Sequence, residues 1–335
     1  MEVTFWGTRG SSPRVMSQPD ILGLLHRLVH DAEKIGVSTL QEFLAAIEAK
    51  KLGHPLGYGG HTPCTEISHR GKRCFVDFGS GLREAGTKYM SHETEYTFFI
   101  THMHWDHLIG LNFFIPVFIP GYKITIYHVH KNAPEYIKLM FNGINFPVKW
   151  ADLSAAIEFV QVKVYDKVQV GDMTVSPFSL DHPGGSFGWR FDAANRSVAI
   201  GYDGEYKRLS RTDLGKDLPY FQNLDLLLFD AQYDLVDAIN RHDWGHSSAP
   251  LGVDLALREG IKNVAFLHHD PWSSDEKLRI SLARARAYCA KQLANYPNAW
   301  HAQPEGPNIF MAYDTLVVDL ELPIAAELRG VQFRA

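Results

Sequence analysis

The chain has 335 residues, 45% of them apolar and 21% charged, and its net charge is -5 from 33 basic and 38 acidic side chains. This is the composition of a globular protein with a large buried core, and its acidic balance argues against nucleic acid as the main partner, since phosphate backbones are gripped by basic surfaces. Three cysteines without a CxxC spacing exclude a disulfide framework and a cysteine zinc knuckle.

Val3–Trp6 reads as a strand and Gly7-Thr8-Arg9-Gly10-Ser11-Ser12-Pro13 as a loop. The N-terminus has no basic, long-apolar leader and no run long enough to cross a bilayer, so the expected setting is the reduced cytoplasm, with no membrane partner. From Asp20, an expected N-cap, the period becomes helical, with Ile21, Leu24, Leu25, Leu28 and Val29 on one face. A second helix is expected after a Ser38–Gln41 capping box, with Leu40, Phe43, Leu44 and Ile47 as its apolar face and Gly53 as its stop. Strands follow at Cys64–Ser68, Arg73–Asp77 and Thr97–Ile100, then at 123–127, 157–164, 173–180, 187–191, 197–201, 225–229 and 263–267. Helices are expected at 81–91, 132–140, 249–259 and 275–294. This order predicts an α/β fold of packed sheets covered by helices, with a helical hairpin interrupting β-rich sequence.

Histidine is the compositional outlier, at 17 residues. Thr101-His102-Met103-His104-Trp105-Asp106-His107 follows an apolar strand and packs four metal-binding side chains together. If the strand persists, His102 and His104 project to one side. Asp106 and His107 then face elsewhere, so the loop can serve one metal with the first pair and a second metal with the other. Neutral imidazole and carboxylate oxygen suit zinc, manganese or iron. Further ligands must lie downstream, and three apolar strands end in candidates: His182 in Asp181-His182-Pro183-Gly184-Gly185, Asp203 in Gly201-Tyr202-Asp203-Gly204, and His268 or His269 before Asp270-Pro271. A sheet aligns such strand ends along one rim. His128-Val129-His130 has no carboxylate after it and reads as structural. His246, in Gly245-His246-Ser247-Ser248, stands before a helix that either serine can cap.

These motifs resemble the metallo-β-lactamase superfamily over nearly the whole chain outside the hairpin, and within it the phosphodiesterase branch that includes ribonuclease Z and PhnP-like enzymes. The resemblance implies an αββα sandwich formed by a single domain over 1–335, with 14–57 as a helical insertion. It implies two divalent metal ions, zinc foremost and manganese or iron as alternatives. His102, His104 and His182 would hold the first, Asp106, His107 and His268 the second, and Asp203 would bridge them. Asp77 would support the metal loop without binding metal. His246 matches the histidine that serves as proton donor or charge stabiliser in phosphodiester cleavage, so His246, Asp106 and Asp203 are the expected catalytic residues. Asp230, in Asp230-Ala231-Gln232-Tyr233, stands where ribonuclease Z carries a glutamate partner for that histidine. A small phosphodiester is the expected substrate, with cyclic nucleotides the first choice. The chain departs from the tRNA-processing pattern, since no basic Gly/Pro-rich arm is visible, and tRNA is not expected as a partner.

The competing readings are a lactonase-type hydrolase on the same centre and a non-catalytic metal-binding sensor. The hairpin reads as a local flap, a lid or a contact in a homodimer. Trp105, Phe113, Phe114, Trp189 and Trp272 lie near the motifs, where aromatics serve either as core or as stacking surfaces.

Overall fold

The computed structural model describes residues 1–52, 55–208, 210–296, 305–324 and 328. Gly53, the expected stop of the second helix, lies outside the described residues, as does part of the 14–57 segment. In chain order the strands are β1 (Glu2–Gly7), β2 (Cys64–His69), β3 (Lys72–Val76), β4 (Glu95–Ile100), β5 (Lys123–His128), β6 (Ala156–Gln161), β7 (Val168–Val170), β8 (Met173–Leu180), β9 (Ser186–Ala193), β10 (Arg196–Gly201), β11 (Leu226–Asp230), β12 (Asn263–Leu267), β13 (Asn308–Met311) and β14 (Val317–Asp319). The helices are α1 (Gln18–Lys34), α2 (Leu40–Glu48), α3 (Leu82–Tyr89), α4 (Ala133–Leu139), α5 (Arg211–Leu214), α6 (Leu235–Asn240), α7 (Ala249–Glu259) and α8 (Asp275–Asn295). Among the described residues the strands form two seven-stranded sheets, ordered β14-β1-β2-β3-β4-β5-β6 and β13-β12-β11-β10-β9-β8-β7.

Strand β4 shows why the sheets stack. Its side chains alternate between faces, and both faces are apolar. Tyr96, Phe98 and Ile100 enter one core with Leu82 and Ala85 of α3 and Ala133 and Ile137 of α4. Phe99 enters the other core, between the sheets, with its ring centroid 4.8 Å from that of Trp189 on β9. On the far side, α7 and α8 cover the second sheet with Val253, Ala256, Leu278 and Ala285. The layers are therefore helix, sheet, sheet, helix, as expected.

The strands that carry the site run parallel within each sheet: β3, β4 and β5 in one, and β10, β11 and β12 in the other. Parallel neighbours end together, so the segments after β3, β4, β10, β11 and β12 emerge along one edge.

The hairpin is present, but three details differ from expectation. Ser17, not Asp20, caps α1; Asp20 is its third residue and returns its carboxylate to the Ser17 backbone in a capping box. The second box is Thr39–Glu42, one residue later than Ser38–Gln41. Both slips have one cause: each box pairs its cap with an acid at the third helical position, Asp20 with Ser17 and Glu42 with Thr39. The apolar faces are also narrower than expected. Leu24, Leu28, Phe43 and Ile47 close the seam, whereas Ile21, Leu25, Val29, Leu40 and Leu44 remain exposed. Two short helices packed against each other bury one stripe each, not a full face. Strand β6 stops at Gln161, before the expected 164, because the Lys163 N–H turns onto the Asp166 carboxylate at 2.8 Å and carries the chain to the second sheet. Strands β7, β13 and β14 have three or four residues each, too few for a period to be read. No described helix is long and apolar enough to cross a membrane.

Candidate metal centre

The strand ends place all seven expected ligands together. Within ligating distance of one another lie His102, His104 and His182; His102, His107 and Asp203; and Asp106, His107 and His268. His102, His107, Asp203 and His268 are at most 1% exposed. Asp77, Asp203 and His268 each turn their strand end through a positive φ of 65°, 57° and 61°. Such backbone costs about 1–3 kcal/mol per residue and persists only where the surroundings hold it.

The histidines are oriented from behind. The Asp77 carboxylate accepts the Nδ1–H of His107 at 2.8 Å, together with the backbone N–H and hydroxyl of Thr101. The same Thr101 hydroxyl donates to Asp77, so at 3.0 Å it accepts from His102 Nδ1. His182 Nδ1 donates to the Gly245 carbonyl at 2.8 Å, and His268 Nδ1 to Gln232 Oε1 at 2.7 Å. Four imidazoles thus spend Nδ1–H outward and turn Nε2 inward, the nitrogen left to bind metal. His104 turns Nδ1 inward instead, 3.0 Å from His182 Nε2.

What these nitrogens face is anionic. His268 Nε2 lies 3.2 Å from both Asp106 and Asp203 oxygens. His107 Nε2 lies 3.1 Å from Asp203 Oδ2 and 3.3 Å from Asp106 Oδ2. Among the described residues, His102 Nε2, His107 Nε2 and Asp203 Oδ2 are buried with no hydrogen-bond partner. Burial alone would raise both carboxyls and lower His107, but their mutual attraction wins. Asp106 and Asp203 sit well below the usual carboxylate range and His107 well above the usual imidazole range. Burial, aided by neighbouring histidines, keeps His102, His104 and His182 low and therefore neutral. The site demands positive charge at its centre while most of its imidazoles are held in the ligating form. A divalent cation fits that donor set, and nitrogen with carboxylate oxygen is a zinc, manganese or iron chemistry.

Asp230 is geometrically close enough to join a cluster with Asp203, His246 and His268, but its lone pairs are committed. Oδ1 accepts from the Gln232 and Ser247 N–H groups, and Oδ2 from Asp203 N–H and from His246 Nδ1 at 2.9 Å. It is the hydrogen-bond partner of His246, an aspartate where ribonuclease Z carries a glutamate. Burial would lower His246; the Asp230 charge outweighs it and holds the imidazole above its usual value. With Nδ1 occupied, His246 has only Nε2 to offer a ligand, and its ring stacks on His268 at 4.9 Å.

His268, not His269, belongs to the cluster. His269 Nε2 bonds to the Ala312 carbonyl at 2.8 Å, and burial beside Arg9 pushes its pKa down to about 3. His128 is likewise structural, bonding to the His130 carbonyl. The sequence reading missed three supports: Gln232, the Gly245 carbonyl and the Ser11 N–H, which donates to Asp106 Oδ2 at 2.7 Å. The signal for two of them lay in glycines. A Cβ on Gly10 would sit 2.4 Å from His268 Nδ1, and one on Gly245 would sit 2.2 Å from His182 Nδ1. Of the aromatic candidates, Phe114 and Trp189 are core, whereas Trp105, Phe113 and Trp272 are exposed.

A family profile described as a beta-lactamase superfamily domain matches residues 96–269, just over half of the chain. The fold is shared with solved structures of low sequence identity. The metallo-β-lactamase fold protein YhfI from Bacillus subtilis is 14% identical at a TM-score of 0.59, covering 95% of this chain and 98% of that one. A diphosphatase from the PhnP family is 17% identical at 0.58, covering 97% and 99%. The short form of human tRNase Z is 16% identical at 0.55, covering 97% and 100%. No curated protein sequence matches. The profile match runs from β4 through His102 to His268 and His269, so sequence and architecture agree that the chain belongs to the beta-lactamase superfamily and has the metallo-β-lactamase fold.

Proposed function

We propose that this protein is a metal-dependent phosphodiesterase with a dinuclear centre, acting on a small phosphodiester, with cyclic nucleotides the first candidates. The observation that carries the reading is the His246–Asp230 pair set directly against the ligand cluster, with Nε2 of His246 left for substrate. His102, His104 and His182 would hold one ion, and Asp106, His107 and His268 the other, with Asp203 between them. Zinc is the first expectation, manganese or iron the alternatives. When bound, two such ions supply Lewis acidity toward the phosphoryl group and the charge that makes water a nucleophile at neutral pH.

The chain's own residues do the rest. Asp77, Thr101, Gln232 and Gly245 keep the ligand imidazoles in one tautomer and one orientation. Asp230 favours the protonated form of His246 and aims it, so that Nε2 can give its proton to the departing alkoxide. Neighbours of the same fold include a diphosphatase of the PhnP family and human tRNase Z, which supports phosphoester chemistry. The net charge of -5 weighs against tRNA itself.

His102→Ala and Asp106→Ala are expected to lose metal and activity together. His246→Ala should retain metal and lose about 10²–10⁴-fold in turnover of a phosphodiester with an alkoxide leaving group, such as a cyclic mononucleotide, the range for one proton-transfer group. Full activity in that variant, or faster turnover of a lactone panel than of phosphodiesters, would favour the lactonase reading, which has no use for His246. Bound metal with turnover of neither class would favour a sensor.

A further inference from the structure

Three described tryptophans are mostly exposed: Trp105 at 71%, Trp244 at 62% and Trp272 at 87%. All three stand on segments that carry the metal centre. Trp105 sits between His104 and Asp106, Trp244 two residues before His246, and Trp272 four residues after His268. An indole left in water forgoes the burial that its large apolar area favours, so three on one set of loops call for an occupant.

Trp244 is also pre-positioned, and the segment that carries Trp272 is linked to it. The Arg241 guanidinium lies over the Tyr233 ring at 4.7 Å and over the Trp244 ring at 5.9 Å, and Trp244 N–H donates to the Arg241 carbonyl. The same guanidinium approaches Asp270 at 4.0 Å, whose other oxygen accepts the Trp272 backbone N–H at 2.7 Å. Tyr233 in turn packs edge-on against His246 at 5.6 Å. A chain of contacts therefore joins the Trp244 indole and the backbone that carries Trp272 to the proposed proton donor. Charged groups, Arg241 and Asp270, lie between them. Aromatic faces separated by polar groups suit a planar ligand better than a continuous apolar partner, which requires an unbroken patch.

We propose that Trp244, set by Arg241, and Trp272 form a stacking subsite beside His246 for an aromatic, nucleobase-type ring carried by the substrate. This rests on the phosphodiesterase reading for its location but not for its test, which is a binding measurement. The metal-loaded, full-length protein is titrated with adenosine 5′-monophosphate and with ribose 5-phosphate, following tryptophan fluorescence. Competition against bis(p-nitrophenyl) phosphate hydrolysis is measured in parallel. The nucleotide is expected to bind about 10-fold more tightly and to quench fluorescence, as base stacking on one aromatic predicts. Trp244→Ala and Trp272→Ala should each erode that preference, and the Phe variants should restore most of it. Ribose 5-phosphate affinity controls for folding, since a collapsed site would lose both ligands.

Equal affinities for the two ligands, or a preference untouched by both alanine variants, overturns the subsite even if phosphodiesters are hydrolysed. Quenching by anionic phospholipid vesicles with no nucleotide preference also overturns it and makes the tryptophans a membrane-facing surface. A retained nucleotide preference in a protein that turns over no phosphodiester sustains the subsite and refutes the catalytic reading.

Discussion

Gly245→Ala tests the claim that the metal centre is held from behind by backbone. Gly245 has φ +86°, where a non-glycine residue costs roughly 1–2 kcal/mol. Its new methyl would lie 2.2 Å from His182 Nδ1 and 2.4 Å from Pro183 Cδ, about 1 Å inside ordinary contact. Neither neighbour yields easily, because Pro183 is a rigid ring and the His182 imidazole is fixed by the Gly245 carbonyl itself. Overpacking of this kind costs about 1–3 kcal/mol, so the expected destabilisation is about 2–5 kcal/mol in urea unfolding. A displacement of that size at a ligand should lower turnover by about 10² and weaken metal retention. Gly184→Ala is the control: φ is +79° there too, but a Cβ would meet nothing within 4 Å. It should show the backbone cost alone, with metal and activity retained. Metal content by elemental analysis, urea midpoint and turnover are read on both. If the two variants behave alike, contact with His182 is not what Gly245 provides, and the reasoning fails.

Asp77→Ala removes the acceptor of His107 Nδ1 and of Thr101; metal affinity measured against a competing chelator should fall by about 10–100-fold. Phe99→Ala opens a cavity between the sheets, beside Trp189 and Phe191, and should cost about 3–5 kcal/mol of unfolding free energy. In the hairpin, Leu28→Ala should cost about 2–5 kcal/mol of that segment's stability, while Leu25→Ala, at a position 48% exposed, should stay within about 0.5 kcal/mol. Hydrogen exchange of α1 separates the two; equal protection would return Leu25 to the buried face.

The candidate ligands were legible because metal chemistry restricts residue types and strands end abruptly. His102, His104, Asp106 and His107 fall within six positions, and His182, Asp203 and His268 each follow an apolar run. The same local logic marked the strands, the paired helices and the glycine turns, whose period or punctuation is written in neighbouring residues. It failed where the deciding partner is distant. Nothing near Ile21 or Val29 says whether the face they share meets another element. The choice of His268 over His269 could be named by resemblance but became physical only through Gln232, 36 residues away, and Ala312, 43 residues away. The proposed donor role of His246 likewise gained a physical basis only beside Asp230. Sequence by itself determined which groups could bind metal and where strands end, because covalent neighbours set both. Tertiary structure decided tautomer, charge and exposure, because these depend on hydrogen-bond partners and burial that only the packed sheets supply.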